Sequence, residues 1–188
     1  GVVPQDVTVT LTGSNDAPLV TATDVAGSVT EDADLNESGS IAFSDVDLTD
    51  EIDISFASNT DITWKREDNS SVHSLSVDQV NKLVSGFSVG AENQPHSGSV
   101  DWVYTVDQAD LEFLNANDTV TFSYTVTAED TYGATGSDVI TITLVGANDT
   151  PEVTSRQLTD DEIIVQMGDD YALDVSTLFS DKDSVQSR

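Results

Sequence analysis

The sequence predicts an all-β fold, an antiparallel β-sandwich with one short helix in an insertion, on three observations. Short segments alternate apolar and polar residues with a period of two. Asp, Asn, Ser and Gly separate them, and only one stretch carries a helical spacing. Period-two alternation sends one face of a strand to a core and the other to water. Many short strands joined by turn residues point to two packed antiparallel sheets and not to a parallel sheet with crossover helices.

The strands are expected at Ser40–Phe43, Ile52–Phe56, Ile62–Trp64, Val100–Val106, Val120–Val126 and Ile140–Val145. Thr, whose branched side chain suits a pleated surface, fills many of the outward positions. Trp64, Trp102, Tyr104, Phe122 and Tyr124 alternate along these segments and are expected in the core, with Trp64 beside a loop of charged residues. Between Ser76 and Gly86 the residues Val77, Val80, Leu83 and Val84 fall at helical spacing. Ser76 is placed to cap the start of that helix and Gly86 its end.

Val7 to Thr21 recurs as Ile140 to Thr154 at an offset of 133 positions, and Phe43-Ser44-Asp45-Val46-Asp47 is echoed by Phe179-Ser180-Asp181-Lys182-Asp183 at an offset of 136. A unit of this length is one sandwich domain, so the chain reads as a window on a tandem array. Residues 1–13 are expected to be the last strand of a preceding repeat and residues 14–146 one complete sandwich. Residues 147–188 supply a linker and the beginning of the next repeat.

With 35 acidic against 6 basic residues the formal net charge is −29. That charge excludes a nucleic-acid partner and attracts cations. There are no cysteines, hence no disulfides and no thiolate metal sites. No apolar run approaches the roughly 20 residues of a spanning helix, so no membrane insertion is expected. The opening residues carry no signal peptide and read as the interior of something longer.

The acidic and amide residues concentrate at expected joints and strand ends: Asn15-Asp16, Asp45-Val46-Asp47, Asp130 and Asn148-Asp149. Calcium takes 6 to 8 oxygens from such side chains and from carbonyls, and Asp-x-Asp on an extended segment sends both carboxylates to one side. The competing reading is ordinary turn chemistry, which Asn and Asp supply with or without an ion. His73 and His96 are the only histidines. They read as polar surface. Paired carboxylates are so numerous that a glycosidase-like pair carries little meaning, and no enzyme is expected.

Six motifs together give the chain its resemblance: Gly-Ser-Asn-Asp-Ala-Pro at 13–18, Gly-Ser-Val-Thr-Glu-Asp at 27–32, Phe-Ser-Asp-Val-Asp at 43–47, Trp-Val-Tyr-Thr-Val at 102–106, the run from Phe122 to Gly133, and Gly-Ala-Asn-Asp-Thr-Pro at 146–151. They resemble the VCBS repeat, an Ig/cadherin-like sandwich found in tandem in large bacterial RTX-type adhesins. The resemblance implies calcium (Ca2+) at the joints between repeats. It assigns Asn15, Asp16, Asp45, Asp47 and Asp130 to an upper joint, and Glu31, Asn148, Asp149, Asp181 and Asp183 to a lower one. The chain departs from the cadherin pattern at Gly13 and Gly146, where a further linker aspartate is common, and this leaves the number of ions per joint open.

The function so implied is that of a calcium-stabilised extender, secreted to the bacterial cell surface. Its partners would be the neighbouring repeats, and it would hold a distal adhesive region away from the cell in adhesion or biofilm. The alternative is a calcium-dependent module that itself binds a host or biofilm peptide or glycan, through residues 57–99.

Overall fold

The computed structural model describes residues 1, 3–22, 24–68, 70, 74–90, 94–153 and 179–180. One sheet has the order β1 (Leu19–Ala22), β3 (Asn36–Ser44), β8 (Ser97–Thr105), β6 (Phe87–Val89). The facing sheet runs β2 (Ala26–Thr30), β10 (Thr135–Val145), β9 (Thr119–Glu129), β4 (Glu51–Ser58), β7 (Gln94–Pro95), with the short β5 (Thr63–Lys65) also paired to β9. The fold is thus the all-β Ig-like sandwich that the alternation predicts. Among the described strands a single pair departs from antiparallel: β2 lies parallel to β10, from Ala26 beside Thr141 to Thr30 beside Val145. Farther along the chain β11 (Glu152–Val153) pairs with β12 (Phe179–Ser180).

The core is built by the alternation itself. Along β9, Val120, Phe122, Tyr124, Val126 and Ala128 are buried, and along β10, Ile140, Ile142 and Leu144 are their counterparts. Trp102 and Tyr104 of β8 close the other side. Phe87 stacks on Tyr124 with ring centroids 4.1 Å apart, and Tyr104 meets Phe122 edge-on. Each large buried aromatic contributes about 2–3 kcal/mol through removed apolar area. Among the described residues the core lies between Val20 and Leu144. Trp64 is half-buried: its ring packs edge-on against Phe113 while Nε1 donates to Asp118 Oδ2 over 3.2 Å.

The helix α1 (Val77–Val84) begins at the expected cap. Ser76 and Gln79 exchange hydrogen bonds in a capping box, which satisfies two donors that the first turn leaves free. Its end differs from expectation: Ser85 is the C-cap in a right-handed conformation, and the Gly86 carbonyl instead accepts from Thr105 N of β8 at 3.0 Å. Leu83 is the buried anchor of the helix, and the hydroxyls of Tyr104 and Tyr124 donate to the carbonyls of Leu83 and Val84.

Strand β10 fixes the distance between the two ends of the sandwich. Its eleven residues, at about 3.3 Å each, separate the β9–β10 hairpin from residue 145 by roughly 33 Å. An acidic cluster sits at each end.

Candidate metal centres

The upper cluster is assembled by three segments. The loop from β3 to β4 supplies Asp45, Asp47 and Asp50, the hairpin from β9 to β10 supplies Asp130, and the incoming chain supplies Asn15 and Asp16. Asp45 is positioned by its own backbone, whose N–H donates to the His96 carbonyl at 2.6 Å. Its Oδ1 accepts from Asp47 N at 2.9 Å, the turn geometry expected of an Asx residue. Asp50 N in turn donates to the Asp47 carbonyl. The result is a loop folded around its acids: Asp45 and Asp50 are buried, and one carboxylate oxygen from each of Asp45, Asp47 and Asp50 lies within 4.8 Å of the others.

Turn chemistry accounts for only part of this arrangement. Asp45 Oδ2 and Asp50 Oδ2 are both buried without a hydrogen-bond partner. Burial raises the Asp50 carboxyl above its usual range, and the carboxylates of Asp47, Asp130 and Asp45 raise it further. A buried acceptor left unpaired is costly and asks for a cation or a proton. Oxygens on opposite sides of a calcium ion are about 4.8 Å apart, which matches the spread of this set, and an all-oxygen donor set suits calcium or magnesium over zinc or copper.

Asp130 has a different role from the other three. Its Oδ1 accepts from Tyr132 N at 2.8 Å and from Ala134 N at 2.9 Å, and its Oδ2 accepts from Asn15 Nδ2 at 2.8 Å. The Asn15 hydrogen bond is the main reason its carboxyl is held below the usual range. Asp16 N donates to Asp47 Oδ2 at 2.8 Å. The linker is therefore stitched to both acidic loops. Pro18, buried, then passes so close to Gly136 that a Cβ there would collide with the Pro18 carbonyl.

The lower cluster forms where the parallel ladder of β2 and β10 runs out. Glu31 N donates to the Val145 carbonyl, and the Glu31 side chain turns inward until only 1 % of the residue is exposed. Its Oε2 accepts from Ala147 N at 2.9 Å, while Oε1 has no partner. Burial pushes the Glu31 carboxyl up to about 7, helped by the nearby Asp149, Asp32 and Glu112 and opposed by the Ala147 hydrogen bond. Gln108 bridges this group: Nε2 donates to Asp32 Oδ1 at 2.8 Å and to Glu112 Oε1 at 3.3 Å. Asn148 Nδ2 donates to the Asp149 carbonyl at 2.7 Å, as Asn15 Nδ2 does to the Asp16 carbonyl at 3.0 Å. The repeated Asn-Asp pair thus adopts one local geometry at both ends.

Of the ten residues assigned from the sequence, the structure brings Asn15, Asp16, Asp45, Asp47 and Asp130 together at one end and Glu31, Asn148 and Asp149 at the other. Asp181 and Asp183, like His73, fall outside the described residues. Sequence reasoning missed Asp50, Asp32, Glu112 and Gln108. Asp50 was findable, since it extends Asp-x-Asp by one further turn of the same loop. Glu112 and Gln108 lie in the segment between β8 and β9, and only its folding against the β2–β3 turn brings them to Glu31.

A second depression is an open groove of about 790 Å³ between α1 and the 3-10 turn at Gln108–Asp110. Lys82, Asn36, Thr105 and Asp107 line it, and Lys82 Nζ is held there by Asp110 Oδ1 at 2.6 Å. Among the described residues no helix is long and apolar enough to cross a membrane.

No protein-family model matches the sequence, and no curated protein matches it. Among solved structures the chain is similar to a PapD-like domain of human CEP192 at 8 % identity, covering 77 % of this chain and 95 % of that one with a TM-score of 0.43. It is also similar to the SrpA adhesin of Streptococcus sanguinis at 14 % identity, over 80 % and 73 % of the two chains, TM-score 0.37. A third is AggA, the major subunit of aggregative adherence fimbriae type I of Escherichia coli, at 10 % identity over 72 % and 99 %, TM-score 0.37.

Proposed function

We propose that this chain is a calcium-stabilised extender module of a bacterial surface adhesin, secreted and arrayed in tandem, with a mechanical and not a catalytic part to play. The observation that carries the reading is the upper cluster, where buried carboxylate oxygens of Asp45 and Asp50 are left without partners and every charge raising Asp50 is another carboxylate.

Asp45, Asp47 and Asp50 would hold the ion, with Asn15 and Asp16 of the linker beside them and Asp130 fixing the linker to the hairpin. At the other end Glu31, Asp149, Asp32 and Glu112 would do the same for the following repeat. A bound cation supplies the positive charge each cluster lacks. Without it, several carboxylates repel one another well inside the Debye length of about 8–10 Å, and the linker gains entropy by bending. With it, the same groups tie linker to sandwich. Extracellular calcium modules bind at about 10⁻⁴–10⁻³ M, so such a joint is stiff outside the cell and slack at cytosolic calcium.

The tandem arrangement is supported by Gly13. Its repeat counterpart Gly146 is buried, with the Asn115 carbonyl so near that a Cβ would collide, whereas a Cβ added at Gly13 would meet nothing within 4 Å beyond its chain neighbours. Residues 7–13 therefore have the sequence of a closing strand and none of its surroundings. The groove beside α1 supports the peptide- or glycan-binding alternative less well, because no aromatic side chain lines it and its lysine is already paired.

The test is small-angle scattering with parallel thermal melts of the whole chain, in 2 mM calcium and then in excess chelator. At twentyfold excess over Kd one site contributes about 2 kcal/mol. A domain of this size should then melt roughly 6–10 °C higher, with a longer and more uniform particle. Identical melts and profiles would reduce the clusters to turn chemistry.

A further inference from the structure

The loop that carries Asp45, Asp47 and Asp50 has its polarity reversed. Its acids point in, while Val46 and Leu48 between them are 72 % and 74 % exposed. Tyr132, on the adjoining hairpin, is 76 % exposed, and it shares with Asp47, Thr49 and Asp50 the wall of a cavity of about 320 Å³. The remaining wall is Gly13, Ser14 and Asn15 of the linker. Single exposed apolar residues are ordinary. A loop that buries its charges and exposes its apolar side chains is not, because each choice costs free energy in isolation. A cation offsets the first cost, and an apolar cover is needed for the second.

We infer that Val46, Leu48 and Tyr132 form an apolar collar on which the lower end of the preceding sandwich docks, the one that residues 7–13 would close. This rests on the tandem reading above and adds a contact that calcium alone does not supply. The occupant is set by the path of the chain. Five peptide steps separate Gly13 from the buried Pro18, at most about 18 Å, so a body that packs Gly13 as this sandwich packs Gly146 must stand directly over the cavity. The pattern of residues 7–12 supports such a body. Val7, Val9 and Leu11 are exposed, Leu11 at 91 %, while their counterparts Ile140, Ile142 and Leu144 are fully buried.

The lower end of this sandwich, as a template for its predecessor, offers a matching surface of small residues. Ala33 in the turn after Glu31 is exposed, and Ala116 and Ala147 beside Gly146 are half-buried. They leave room for larger side chains to seat. The collar thus sets the angle between repeats, and the ion locks it.

Because the offset is constant across the linker, residues 14–146 can be joined ahead of residues 14–188 to give a two-repeat protein with a native-like joint. The chain has no cysteine, so Ser137→Cys in both repeats gives two spin labels on β10 and one distance to measure. In 2 mM calcium we expect a single narrow distance distribution. Val46→Ser, Leu48→Ser and Tyr132→Ser together should broaden it at least twofold, leave the calcium midpoint within twofold, and leave the melting temperature of the 188-residue chain within about 2 °C. A variant as narrow as the parent overturns the collar while the calcium joint stands. A parent tandem that is broad with and without calcium overturns both. Dimerisation of the 188-residue chain in sedimentation, lost on Leu48→Ser, would assign the collar to a second copy. Calcium-dependent co-sedimentation with phosphatidylserine vesicles, lost on the same change, would assign it to a lipid surface, and either result overturns the inference.

Discussion

Residues 7–13 and 140–146 are nearly the same strand written twice, and they live in opposite environments. Both alternate Val, Ile or Leu with Thr and end in Gly. The second copy is β10, hydrogen-bonded along its whole length to β9 and over its last five residues to β2, with Ile140, Ile142 and Leu144 at zero exposure. The first copy is bare, although its pattern is as good a strand signal. Alternation specifies which face a strand would bury, and burial itself requires a partner sheet.

The contrast is broken most directly by truncating both copies. Leu144→Ala should destabilise the chain by about 3 kcal/mol in urea unfolding, the usual cost of a deleted core leucine, whereas Leu11→Ala should fall within about 0.5 kcal/mol of the parent. Gly146→Ala and Gly13→Ala should divide the same way. Equal effects at the two members of either pair would mean that residues 7–13 pack somewhere on this sandwich.

The two acidic ends can be compared in the same manner. At the lower end, Glu31 keeps its proton to about pH 7 in the folded chain and releases it near 4.5 when unfolded. Stability of the metal-free chain therefore falls as pH climbs from about 4.5 to 7 and is flat in this group beyond that. The change expected is on the order of 2 kcal/mol, and Glu31→Gln should remove it. Melts in chelator at pH 5 and pH 8 check this, and an unchanged difference in the variant would place the titrating group elsewhere. At the upper end, Asp50→Asn should weaken calcium binding about tenfold, near 1.4 kcal/mol, if the set proposed to hold the ion does so, because it removes a charge from that set. Calcium titration by calorimetry reads it, and an unaltered affinity would return Asp50 to a purely structural place in the loop.

Much of the fold was legible because its signals are local. The strands around Phe43, Ile54, Trp102, Tyr124 and Ile142 follow from period-two alternation, and the helix follows from Ser76 and the spacing of Val80 and Leu83. The boundary at Ser85 was not legible, since the carbonyl of Gly86 is claimed by Thr105 of a strand some twenty positions away. Similarly, Asp45 and Asp47 announce themselves by spacing, while Glu112 reaches the lower cluster only through the packing of the segment that follows β8.

The sequence by itself determined the class of fold, the spacing of the repeated segment, the acidity and most of the residues that gather in the two acidic clusters, because alternation, turn chemistry and internal repetition are legible in the residues themselves. Only the tertiary structure decided which donors meet. It brought Asp50 under Asp47, left Asp45 Oδ2 and Glu31 Oε1 buried without partners, and gave Asn15 Nδ2 of the linker to Asp130 and Asp16 N to Asp47. It also turned Val46 and Leu48 outward while their acidic neighbours turned in. Those outcomes depend on contacts across as many as 116 positions and on the removal of water from between like charges, and no local pattern encodes either.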